Sequence, residues 1–184
     1  MAAALPYAIL LVCVVGVGLI FKIHRVRGKI VLTEDQRARL VELAGHSLES
    51  GDVPVGAVLI YKGKTIGEGY NTELRNAKAG EHAEINAISS AITSLGMDEF
   101  SRLDRRSLVL ISTFEPCLMC AGAFVNYNIQ HVYFMMEKDL QYLVKEGALF
   151  SRYLIRRRQT RDKGEQEALF EKHPGYPGRT GRSS

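Results

Sequence analysis

The pattern of apolar and polar positions divides the chain into a continuous apolar run, an amphipathic helix, and then strands alternating with helices. From Ala4 to Phe21 no residue is charged, and Lys22, Arg25, Arg27 and Lys29 follow. A helix over that run rises close to the ~30 Å of a bilayer core, with Lys22 able to snorkel. The pattern predicts one N-terminal transmembrane helix, uncleaved because the basic flank follows the apolar run rather than preceding it. Basic flanks stay cytoplasmic, so a single-pass membrane protein with its remaining chain facing the cytoplasm is expected. Thr33 and Gln36 then make a capping-box pair, and Ala38, Val41, Ala44 and Leu48 recur at helical spacing up to Gly51-Asp52. Val53–Tyr61 and Thr65–Gly69 read as the strands of a hairpin turning at Lys62-Gly63-Lys64, with Tyr70 and Asn71 opening a polar loop to Gly80.

Ala83, Ile85, Ala87, Ile88, Ala91 and Ile92 predict a helix over Glu81–Leu95, stopped by Gly96. Leu108–Ile111 reads as a buried strand, Pro116-Cys117 as the start of a helix reaching Tyr127, and His131–Met135 as another strand. Leu140–Phe150 and Tyr153–Arg158 carry helical patterns, while the Pro, Gly, Arg and Ser content from His173 predicts a loosely ordered tail. Strands alternating with helices argue a layered α/β domain. Three parts are expected: an anchor with its basic flank at 1–28, one catalytic domain at 29–160, and a basic tail at 161–184.

Composition changes this picture little. The 184 residues, 46% of them hydrophobic, suffice for one core plus an appendage. A net charge of +4 permits attraction to phosphate without demanding it. Three cysteines exclude a disulfide scaffold; Cys13 sits in the apolar run and reads as a packing residue. No Gly-rich phosphate loop and no internal repeat is present.

The candidate chemistry lies in Cys117 and Cys120, one helical turn apart, and in His82 thirty-five residues earlier. Two thiols and an imidazole hold Zn2+ with a fourth position open, the arrangement of a catalytic ion and not of a closed structural one. A structural knuckle would need a second Cys-x-x-Cys, which the chain lacks. Glu84, beside the metal but not bound to it, is the candidate proton carrier. Backbone N–H groups at the helix starts near Ala83 and Cys117 are candidate donors to a bound ring. Asn71 and Tyr70 stand where loops make contacts, although either residue serves equally as a strand-end residue. His24, His46, His131 and His173 lack ligand spacing.

His82-Ala83-Glu84 followed by Pro116-Cys117-Leu118-Met119-Cys120 resembles the H-x-E and P-C-x-x-C signature of the cytidine and deoxycytidylate deaminase superfamily. Val53–Ile60, Gly67–Asn71, Glu84–Ile88 and Ala121–Ala123 resemble the branch holding tRNA adenosine, guanine and fungal-type cytosine deaminases. The resemblance covers Thr33 to Met135. It implies a three-layer α/β/α sandwich with a five-stranded mixed sheet, Zn2+ on His82, Cys117 and Cys120, Glu84 as proton shuttle, and Asn71 as a base contact. The implied activity is hydrolytic removal of an amino group from a nucleobase, nucleoside or nucleotide. One alternative is adenosine-to-inosine editing of tRNA. Another, weighed down by the intact Glu84, is an idle deaminase fold tethered to a membrane as a binding module. The partners expected are a small base-containing molecule or RNA, the membrane through the N-terminal helix, and a second copy in a homodimer.

Overall fold

The computed structural model describes residues 31–158 and 163–172. Helix α1 (Glu34–Leu48) opens on Thr33 as the sequence predicts: the Thr33 hydroxyl accepts from the Gln36 N–H, and the Gln36 side chain accepts from the Thr33 N–H. Its Leu40 and Leu43 are buried three residues apart on one face, each stabilising by about 1.5–3 kcal/mol. The hairpin follows with β1 (Gly56–Tyr61) and β2 (Lys64–Tyr70), paired antiparallel. Lys62 and Gly63 both adopt positive φ, which gives a two-residue turn the twist of the flanking strands.

A four-residue helix, α2 (Glu73–Asn76), lies in the loop that the sequence presents only as polar. Helix α3 (Ala83–Leu95) is followed by a short α4 (Met97–Arg102) and a 3-10 turn at Arg105–Ser107. Strand β3 (Leu108–Phe114), helix α5 (Leu118–Asn126) and strand β4 (His131–Met136) complete the central unit. Beyond it run α6 (Leu140–Arg156) and α7 (Lys163–Glu171).

The sheet order is β2-β1-β3-β4, with β1 antiparallel to both neighbours and β3 parallel to β4. Alternating side chains divide its faces. Leu59, Leu108 and Leu110 pack with Ile88 and Ala91 of α3 and with Cys120 and Phe124 of α5. Val58, Ile60 and Ile111 pack with Leu40 and Leu43 of α1. Helices therefore cover both faces of a mixed sheet.

The expected fifth strand is corrected: among the described residues the sheet has four. No stretch of the chain reads as a fifth strand; that number came from the resemblance alone. After β4 only Glu137-Lys138-Asp139 intervene before α6, which runs unbroken for 17 residues where two helical pieces are expected. The expected transmembrane helix falls in 1–28, outside the described residues. Among the described residues no helix is long and apolar enough to cross a membrane.

Candidate functional site

The site is assembled at the starts of α3 and α5, where the chain leaves tight packing against the sheet. Helix α3 lies unusually close to β2: a Cβ on Gly69 would collide with the Ala83 carbonyl and the Ala87 N–H, and α3 presents Ala83, Ala87 and Ala91 to the sheet. That closeness brings the α3 start to the end of β2. Asn86 fastens the connecting loop, its side-chain amide donating to the Tyr70 carbonyl at 2.8 Å, the Thr72 hydroxyl at 3.0 Å and the Glu81 carbonyl at 3.2 Å.

His82 is the N-cap of α3 and Cys117 the N-cap of α5, so each projects from an extended residue just before its helix. This removes an apparent difficulty, since two side chains two positions apart on one helix would point to different sides. His82 Nδ1 stands 3.5 Å from both Cys117 Sγ and Cys120 Sγ, and the two sulfurs are 3.6 Å apart. Ligand atoms around a tetrahedral zinc, at ~2.3 Å for sulfur and ~2.0 Å for nitrogen, are about 3.5–3.8 Å from one another. The three donors thus fit Zn2+ in both chemistry and spacing, and among the described residues they are the group able to hold a metal. The hydrogen bonds that Cys117 shares with Cys120 and with the His82 ring hold its thiol down at about 3. Their hydrogen bonds with Cys117 raise the Cys120 thiol and the His82 imidazole.

Glu84, the second residue of α3, is buried at 3% exposure. Burial pushes its carboxyl up, a bias toward the protonated form only partly offset by its backbone and Cys120 hydrogen bonds. Ser112 of β3, fully buried, donates to Glu84 Oε1 at 3.4 Å. Sequence reading missed a second carboxylate: Glu73 Oε2 lies 3.3 Å from His82 Nε2 and its Oε1 accepts from the Gly80 N–H at 2.7 Å. Its signal was weak, an acidic residue two positions after Asn71 with no spacing to the triad.

Asn71, Ala83, Glu84, His82 and Cys117 line one cavity of about 200 Å³ together with Val53, Val55, Glu73, Phe114, Glu115, Lys138 and Tyr142. At ~30 Å³ per water this is roughly seven water volumes, enough for one heteroaromatic ring system. Asn71 is buried, its N–H donating to the Val55 carbonyl at 3.1 Å. Tyr70 is not part of the cavity wall. Its ring meets His46 at 5.4 Å and Arg75 at 5.5 Å on the α1 side of the sheet. His46 pairs with Glu49 and His131 is exposed, both away from the donors.

Comparison with known proteins agrees with this geometry. The family model described as the cytidine and deoxycytidylate deaminase zinc-binding region matches residues 33–136. The chain is 33% identical over 137 residues to the tRNA-specific adenosine deaminase subunit tad2 of Schizosaccharomyces pombe, covering 74% of this chain and 31% of that protein. It is 34% identical over 102 residues to a tRNA-specific adenosine deaminase of Buchnera aphidicola, covering 55% and 64%. The chain therefore spans less than two thirds of the length of these curated relatives. Among solved structures, one from a study of A-to-I editing by tRNA:A34 deaminases superposes with a TM-score of 0.52 at 30% identity, covering 58% of this chain and 73% of the other.

These findings also correct the expected placement in a membrane. The relatives carry names of tRNA-specific enzymes, and neither the single-pass assignment nor the membrane as a partner is retained. With a matched zinc-binding region over more than half its length and a His/Cys/Cys group spaced for zinc, the chain belongs to the cytidine and deoxycytidylate deaminase family.

Proposed function

We propose that the chain is a zinc-dependent hydrolytic deaminase that replaces the amino group of a cyclic amidine in a base with a carbonyl oxygen from water, releasing ammonia. The observation that carries this reading is the buried Glu84 carboxyl, lining one cavity with the His82 and Cys117 donors while Cys120 closes the group behind them.

In this reading His82, Cys117 and Cys120 are the metal ligands and Glu84 is the catalytic acid and base. Bound by these three residues, zinc would supply a water acidified toward ~7 and hence a nucleophile at neutral pH. Glu84, its carboxyl raised by burial, is placed to move both protons of the attacking water, the first to a ring nitrogen and the second, from the added hydroxyl, to the amino group that leaves as ammonia. Asn71 offers an amide that both donates and accepts to the polar edge of a ring. The Ala83 N–H, free of an intrahelical partner in the first turn of α3, is a donor toward charge that develops on the reacting ring. Ser112 and Glu73 act through neighbours, one orienting Glu84 and the other the His82 ring.

Adenosine within tRNA is the substrate we favour, supported by the relatives' names and by the basic run Arg156-Arg157-Arg158 at the end of α6. The test is ammonia release by the whole chain on cytosine, guanine, adenosine, cytidine, deoxycytidylate and tRNA. Turnover is expected on tRNA, and Glu84→Ala should lose at least about 100-fold in kcat while binding zinc as before. An active Glu84→Ala would sink the proposed mechanism. Turnover of free bases alone would replace tRNA with a small-molecule substrate.

A further inference from the structure

Lys138 is a buried lysine, 7% exposed, on a three-residue connection otherwise open to solvent. An ammonium out of water is strongly penalised unless fully paired, and this one is. Its Nζ donates to the Pro116 carbonyl at 3.2 Å and to both oxygens of Glu146 at 2.9 and 3.0 Å. Its backbone N–H donates to Glu115 Oε2 at 2.8 Å. The Glu115 N–H in turn donates to the Met136 carbonyl at 2.9 Å. The segment just before Cys117 is thus clasped to the start of α6 from both sides.

Helix α6 fully buries none of its residues, and of the apolar side chains in its first turns only Leu143 is partly buried, so apolar packing holds them weakly. The polar contacts that tie it to the Pro116 loop are those of Lys138 and Glu146. Tyr142, in the first turn of α6, carries its ring 5.3 Å from Lys138 Nζ and lines the cavity shared with Asn71, Glu84 and Cys117. A buried ion pair contributes little net stability compared with apolar residues of the same shape, whereas the hydrogen bonds from Lys138 to both Glu146 oxygens are directional.

We propose that Lys138 and Glu146 form a positioning latch that holds α6 against the Pro116 loop, so that Tyr142 stands as a specificity-determining wall on which the substrate base stacks. The latch is a statement about α6 and the loop; the stacking role of Tyr142 rests on the deaminase reading above. Stacking of a base on an aromatic ring changes affinity by roughly 5- to 150-fold.

The chain contains no tryptophan, so Tyr142→Trp makes the wall its own fluorescent reporter. The latch is removed by Lys138→Met together with Glu146→Leu, which leaves no unpaired buried charge and protects folding. In the reporter background, loss of the latch is expected to red-shift the emission and raise acrylamide quenching about twofold. In the unaltered background it is expected to raise KM for the base about tenfold, with kcat within about threefold and zinc content unchanged. Tyr142→Ala should raise KM similarly and add nothing once the latch is gone. Unmoved emission overturns the latch, and unmoved KM overturns Tyr142 as a wall. Loss of kcat and zinc without a rise in KM overturns both, because the pair would then only scaffold the metal loop. If the unaltered chain deaminates no base, the deaminase reading falls, while the emission still decides the latch: a shift upholds it and constancy refutes it.

Discussion

Three carboxylates are given different work by what surrounds them. Glu84 faces a buried serine and two thiols, and burial raises its affinity for a proton; Glu73 is half exposed and meets the far nitrogen of His82. A carboxylate on that second nitrogen fixes which ring atom is free to bind a metal. Glu73→Gln is therefore expected to weaken zinc binding about 10- to 100-fold, read by competition with a chelator, with the fold unchanged by circular dichroism. Asp52 works at a distance. It is buried, and although burial acts to raise its carboxyl, hydrogen bonds from the Leu74 N–H at 2.7 Å, the Ser50 hydroxyl at 2.7 Å and the Arg75 N–H at 3.1 Å hold it below the usual range. Those bonds satisfy the first turn of α2, which has no side-chain cap of its own. A carboxyl lowered on folding stabilises the folded state above its unfolded value of ~3.9 and loses that contribution as pH falls through the folded value. The stability gap between the native chain and Asp52→Asn should accordingly be full at pH 7 and close below about pH 4, as read from urea midpoints.

At the scale of elements, the glycines of β2 set where α3 begins. Gly67 and Gly69 leave the room that Ala83, Ala87 and Ala91 occupy, and that contact holds His82 and Glu84 at the end of the sheet. Gly69→Ala would force the two elements apart, with an expected cost of about 1–3 kcal/mol in urea unfolding and a loss of zinc affinity in the folded fraction. These elements were legible from sequence because each had local chemistry behind it. The Thr33–Gln36 capping pair, the Lys62-Gly63 turn and the small-residue face of α3 all lie within a few residues of what they specify. Helices α2 and α4, of four and six residues, were not legible: fewer than two turns carry too little periodicity, and α2 depends on Asp52, more than twenty residues away. The fifth strand failed for the opposite reason, since it came from likeness to relatives and not from any apolar run in this chain.

For the molecule as a whole, the donor set was legible in residue type and spacing, but its geometry was not. That His82 and Cys117 both cap their helices, that Glu73 backs the imidazole and that Lys138 clasps the metal loop follow from contacts between segments far apart in sequence. The apolar run before Lys22 pointed to a membrane from hydropathy alone, a signal that reads length and charge but not use. In the proposed reaction, water activated beside Glu84 displaces an amino group from a base. This reaction is tested most directly by running the whole, zinc-loaded chain on tRNA in water enriched with oxygen-18 and analysing nucleosides by mass spectrometry. Inosine carrying one heavy oxygen for each ammonia released is expected. Intact adenosine across the full substrate series, or a deaminated product without heavy oxygen, would contradict it.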